Sequence, residues 1–178
     1  MGCILSRVPY TSTVTAQIVN SNVAASLVGT GQGSLTIPAD CARLGAAFRA
    51  RLLGWYKSIS SSPGTLTFLV KLGGVTVGTV AAFTLPNSAA SWYLDLEATI
   101  SIRAVGASGT VFAQGRLLQQ SAAPATGTLL IRPIGPTTAT TAIDWTTNSR
   151  ILDVTGQFSV ANAGNELNVS NVVVEALN

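Results

Sequence analysis

Asp95 and Glu97 stand two residues apart in the stretch WYLDLEATISIRA, a spacing that on a β-strand projects both carboxylates from one face. Paired carboxylates perform acid–base chemistry when their separation and solvation drive their pKa values apart. On a strand face that stays in water they only keep that face wet, and this is the expectation here. Cys41, between Asp40 and Arg43, has the neighbours of a lowered-pKa thiol. It lacks a partner at a diagnostic spacing and reads as a small buried packing residue. A Ser or Thr activated by Lys57 or Lys71 would be the remaining nucleophile, but no G-x-S-x-G sequence marks one. The chain has no histidine, which removes the commonest general base, the histidine triads and most zinc sites. Gly29-Thr30-Gly31-Gln32-Gly33 lacks the G-x-x-x-x-G-K-[ST] order of a phosphate loop and reads as a flexible turn before a strand. No catalytic, cofactor-binding or metal-binding residue is therefore expected, and the chain is expected not to be an enzyme.

The two cysteines, Cys3 and Cys41, are too few for a Cys-rich metal site or a secreted disulfide framework. Two unpaired thiols are expected, with a Cys3–Cys41 bridge as the alternative. Met1-Gly2-Cys3-Ile4-Leu5-Ser6 fits the short myristoylation pattern, yet no lipidation is expected. No apolar run approaches bilayer-spanning length, so no membrane partner is expected.

The elements that must position these residues are strands. In Trp92 to Ala104, Trp92, Leu94, Leu96, Ala98, Ile100 and Ile102 share one face, and Asp95, Glu97, Thr99, Ser101 and Arg103 share the other. Strict period two of that length predicts a long strand with one face in a core. Val105 to Gly109 supplies turn chemistry and Thr110 to Leu118 returns, so an antiparallel hairpin is predicted. Thr65 to Lys71 and Val75 to Phe83 form a second hairpin about Gly73-Gly74. Phe48 to Lys57 places Phe48, Ala50, Leu52 and Tyr56 on one side, with Arg49, Arg51, Leu53, Trp55 and Lys57 on the other. Short strands are predicted over Ser34–Ile37 and Thr128–Arg132, and longer ones over Arg150–Val160 and Leu167–Leu177. Ala39 to Ala47 offers at most a turn or two of helix. The fold predicted is all-β: a two-sheet antiparallel sandwich, with jelly-roll connectivity preferred and an extended N-terminal arm.

Only 10% of the 178 residues are charged, against about 25% in an ordinary soluble domain. A surface with few charges is cheap to desolvate, which favours repeated protein contact. The net charge of +3 comes without any basic run. A phosphate-tracking groove needs several cations together, so no specific nucleic-acid partner is expected.

Residues 1–33 are read as an arm and interface segment, and 34–178 as the sandwich domain. From Thr11 to Gly33 the chain is small and polar without a long apolar face. Ordering such a segment costs backbone entropy that a contact must offset, so the arm is expected to lie across a neighbour. Val14, Ile18, Val23, Leu27 and Val28 are its candidate anchors. Leu53 and Trp55, bulky and outward on their strand, complete the expected interface set. Trp92 is assigned to the core, and Trp145 to a Thr-rich loop.

Four stretches carry a resemblance: GTGQGSLTIPADCARLGAAFRARLLGWY, GTLTFLVKLGGVTVGTV, SWYLDLEATISIRAVGASGTVFAQGRL and IDWTTNSRILDVTGQFSVANAGNELNVSNVVVEALN. In their order, and in the Val-Gly-Ala-Ser-Gly-Thr hairpin before Phe-Ala-Gln-Gly, the sequence resembles a family of tailed-phage structural proteins with a jelly-roll domain. The resemblance implies a virion component made in the host cytoplasm. Its first form is a capsid cement or decoration protein on the capsid surface, bridging subunits of the major capsid protein. The alternative is a tail, fibre or head-fibre attachment protein involved in host recognition. It further implies self-association as a homotrimer, with other virion proteins as further partners.

Overall fold

The computed structural model describes residues 10–58, 61–121, 128–135, 140–146 and 149–177. Fourteen strands run through them in chain order: β1 (Tyr10–Ser12), β2 (Ala16–Val19), β3 (Ala25–Ser26), β4 (Gly31–Gly33), β5 (Thr36–Ile37), β6 (Ala47–Ser58), β7 (Thr65–Leu72), β8 (Val75–Thr84), β9 (Ser88–Ala104), β10 (Thr110–Gln120), β11 (Leu129–Gly135), β12 (Thr141–Ala142), β13 (Arg150–Phe158) and β14 (Glu166–Ala176). Among the described residues helix is confined to one 3-10 turn, Ala39–Cys41. The predicted hairpins are present, with Gly73 and Gly74 at φ 60° and 82° forming the two-residue turn from β7 to β8. Positive φ at both central residues matches the strand twist, and glycine adopts it without a Cβ clash.

All pairings are antiparallel, in the order β3-β13-β7-β8-β11-β10-β9-β6-β14-β1-β4. This corrects the expectation of two separate sheets. The chain forms one strongly curled sheet, consistent with a jelly-roll-like topology. Its two halves stay joined where Ile134 and Gly135 of β11 pair with Val80 and Thr79 of β8. The curl folds the sheet's inner face onto itself, so Leu52, Leu66, Phe68, Leu94, Leu96, Ile100, Leu117 and Phe158 enclose one core. Trp145, assigned by sequence to a loop, also joins that core, with its indole against Gly109.

The N-terminal segment differs most from expectation. β3 lies at one end of the sheet beside β13, and β4 at the other end beside β1. Only Leu27 to Thr30 connects them. The Leu27 amide donates to the Val154 carbonyl at 2.8 Å, and the Tyr10 hydroxyl donates to the Val28 carbonyl at 2.8 Å. The described part of the arm is thus a strap that ties both ends of the curled sheet together. Ile18, Leu27 and Val28 are buried in the chain's own core. Val14 and Val23 remain exposed, at 57% and 68%.

Burial has a titration consequence at Tyr56. Its ring meets Phe83 edge-on at 5.8 Å, and its hydroxyl donates to the Gln120 carbonyl at 2.6 Å. Desolvation pushes this hydroxyl up to about 12, against an opposing effect from Arg132. The unfolded chain releases the proton near pH 10, whereas the folded chain holds it, so stability should fall as pH rises from 10 towards 12. Tyr56→Phe should flatten that alkaline decline while costing about 1 kcal/mol at neutral pH for the lost hydrogen bond. Urea midpoints of both proteins at pH 7, 10 and 11.5, values of roughly the titration range, check this.

Candidate functional site

Period-two alternation sends the odd-numbered residues of β6 and β9 away from the core, and pairing sets them side by side. Arg51 lies opposite Glu97, Leu53 opposite Asp95, and Trp55 opposite Tyr93. On the other flank of β6, β14 places Glu175 opposite Arg49, Val173 opposite Arg51, and Asn171 opposite Leu53. An open groove of about 320 Å3 follows this outer face, lined by the β6 residues Arg49, Arg51 and Leu53 with Glu97, Asn171 and Glu175.

Cross-strand ion pairs organise the charges. Arg51 is bidentate to Asp95, with Nε to Oδ1 at 3.2 Å and Nη2 to Oδ2 at 2.8 Å. Arg49 donates through Nε and Nη2 to Oε2 of Glu175, and Lys57 meets Glu166 at 2.6 Å. The hydrogen bond that each guanidinium donates to its partner carboxylate, reinforced by the carboxylate's charge, raises the pKa of Arg49 and of Arg51. These half-exposed pairs contribute little stability, but they fix where each guanidinium and carboxylate points. The Tyr93 hydroxyl donates to Asp95 Oδ2 at 3.3 Å, and burial, then Asp95, pushes its pKa up. Lys57 Nζ lies over the Trp55 ring at 5.5 Å.

Glu97 is different. It lies opposite Arg51 on one side and Arg116 on the other. Among the described residues it nevertheless makes no hydrogen bond or ion pair. Its charge acts on Arg49 and Arg51, but no hydrogen bond occupies its oxygens, whereas both oxygens of Asp95 are held by Arg51. The two carboxylates read as a candidate pair do share a face, in unequal situations.

The other candidates separate. Leu53 and Trp55 lie on the outer face, half-buried, as expected. Ile18, Leu27 and Val28, expected at an interface, are core residues of the single chain, because the strap brings them back between β13 and β14. Cys41 is buried and disulfide-bonded, a correction to the expectation of free thiols; Cys3 lies outside the described residues. Gly31 to Gly33 is an edge strand on β1, not a flexible turn. Among the described residues no three His, Cys, Asp or Glu groups cluster as metal ligands, and no helix is long and apolar enough to cross a membrane.

No protein-family model and no curated protein matches the chain. Among solved structures it is similar to the CBM2 module of the evolved Dit of Lactobacillus casei BL23 phage J-1, at 12% identity over 94% of this chain and 75% of that one, TM-score 0.36. It is also similar to the lectin UEA-II complexed with galactose, at 13% identity over 93% of this chain and 99% of that one, TM-score 0.34. The alginate lyase from Klebsiella pneumoniae gives 7% identity over 92% of this chain and 80% of that one, TM-score 0.35. Likeness at this level transfers neither ligand nor activity.

Sequence reasoning missed the opposition of Trp55 to Tyr93, because it read the faces of each strand separately. Alternation carried no signal for it, because it assigns residues to faces without setting which of them oppose each other across two strands.

Proposed function

We propose that this chain is a non-enzymatic recognition protein of a phage particle, carried on the tail or a fibre, whose outer-face groove receives a host-surface saccharide. The observation that carries the reading is the groove between β6, β9 and β14 with its paired charges, continued on the same outer face by Trp55 opposite Tyr93, two residues beyond Leu53. Each lining guanidinium is already neutralised by a carboxylate, so the groove does not suit a polyphosphate backbone. It instead offers donors and acceptors side by side, which suits vicinal hydroxyls, and Trp55 and Tyr93 offer amphipathic faces to sugar C–H groups. The capsid-cement placement ranks second, because the segment expected to grip capsid neighbours is occupied within the chain's own sheet. The virion context itself rests on the resemblance of the four stretches.

Glycan-array binding, followed by calorimetry on the best polysaccharide, tests this reading. Trp55→Ala and Glu97→Ala should each weaken binding about tenfold or more, the loss of one buried hot-spot contact, with unchanged melting. Binding that neither variant weakens would remove the groove. Occupancy of purified tailless heads without any glycan or cell binding would restore the cement placement.

A further inference from the structure

β11 is paired along its length on one side only. Leu129 to Ile134 run antiparallel to Gln120 to Gly115 of β10, whereas β8 reaches β11 only at Ile134 and Gly135. Beyond that junction the two strands diverge, and Arg132 occupies the opening, with its guanidinium over the Phe83 ring at 4.8 Å and Nε donating to Gln119 at 3.0 Å. Leu129, Leu130 and Ile131 therefore belong to a strand edge that no described strand covers. Their side chains are exposed at 53%, 39% and 68%. Register puts Leu129 and Ile131 on the outer face beside Gln120 and Leu118, and Leu130 on the opposite face beside Gln119.

An exposed edge that is apolar on both faces is the arrangement that soluble proteins ordinarily blunt with charge or bulges. Here Leu129 to Ile131 contain no charged residue, and Arg132 is turned to Phe83 and Gln119. Pro133 protects only the end of the run, where its missing N–H is tolerated because it lies at an edge. Unpaired backbone amides and carbonyls select an extended strand as the occupant. The alternating apolar side chains select an occupant that is itself uncharged and apolar on both faces. The same run on another copy of this chain has that composition, and opposing it to itself places no like charges together.

We propose that a second copy of this chain docks on β11 by strand-to-strand pairing along Leu129 to Arg132. The inference is independent of the groove and stands if the saccharide reading fails. It also gives self-association a specific surface, distinct from the arm.

Sedimentation equilibrium of the full chain, over a series reaching about 100 μM to cover micromolar affinities, tests it together with Ile131→Lys and the off-patch control Val23→Lys. The wild type and Val23→Lys should associate alike, as a dimer, because an edge opposed to its own copy closes at two, and Ile131→Lys should weaken association tenfold or more. A wild type that stays monomeric throughout, or an oligomer that Ile131→Lys leaves intact, would overturn the proposal. If Ile131→Lys fails to fold, hydrogen exchange on the wild type decides. The Leu129 to Arg132 amides should gain protection with concentration, and unchanged exchange sinks the idea. A monomer whose β11 instead mediates binding to purified particles would assign the strand to another protein and overturn self-docking.

Discussion

Deleting residues 1–33 is expected to abolish cooperative folding. The deletion removes β1 to β4 and with them the buried side chains of Tyr10, Ile18, Leu27 and Val28. Each contributes about 1.5–3 kcal/mol by burial, and the sum is of the order of the whole stability of a domain. The damage does not stop at the lost segment. A Cβ on Gly156 of β13 would meet Leu167, Leu27 and Ile18 within 3.4 Å, so the strap fills the space between the sheet's two ends. Without it, the apolar flanks of β13 and β14 open to water. The truncated chain should lose its sharp thermal transition and its near-ultraviolet circular dichroism. Leu27→Ala isolates the packing effect while leaving both cysteines in place, and should cost about 2–5 kcal/mol in urea denaturation. A truncated protein that melts cooperatively near the wild-type temperature would show that the strap is dispensable and return the segment to the role of an arm.

Gly115→Ala is expected to be among the most damaging single-methyl changes in the sheet. A Cβ at Gly115 would lie 2.0 Å from the Glu97 carbonyl oxygen and 2.8 Å from the Ala98 Cα, both backbone atoms of β9. β9 cannot retreat, because its other flank is paired to β6, with Ala98 opposite Ala50. Separating β10 from β9 would break the hairpin ladder, so a loss of about 3 kcal/mol, at the upper end for overpacking, is expected. Gly54 faces the same constraint against the Asn168 carbonyl at 2.0 Å. Gly135→Ala is the control: among the described residues nothing lies within 4 Å of its Cβ, and its φ is not among the positive ones, so a change within about 0.5 kcal/mol is expected. Equal urea midpoints for Gly115→Ala and Gly135→Ala would contradict the close approach of β10 to β9. The same contact bears on function, since the carbonyl that would be pushed belongs to Glu97, the open carboxylate of the groove.

Alternation along the chain determined which segments are strands and which side chains face inward. Leu94, Leu96, Ile100 and Ile102 are buried while Tyr93 is exposed, and Leu52 and Tyr56 are buried while Leu53 and Trp55 face out, as period two requires. Chain polarity and turn glycines likewise determined the β7–β8 and β9–β10 hairpins. Alternation does not determine register, because sliding one strand by two residues keeps every side chain on its face. The opposition of Trp55 to Tyr93, and of Arg51 to Glu97, was therefore decided only when β6 met β9 in three dimensions. Parity was lost in β14, where the shift between Val169 and Asn171 carries the core from Leu167 and Val169 to Val172 and Val174. The strap was hidden for a related reason: Ile18, Leu27 and Val28 are scattered among small polar residues with no periodic face. Their burial arises from the curl of a sheet whose two ends lie far apart in sequence. Local pattern records how a strand presents its faces to water and core, while closure of the sheet depends on contacts between residues that no local pattern relates.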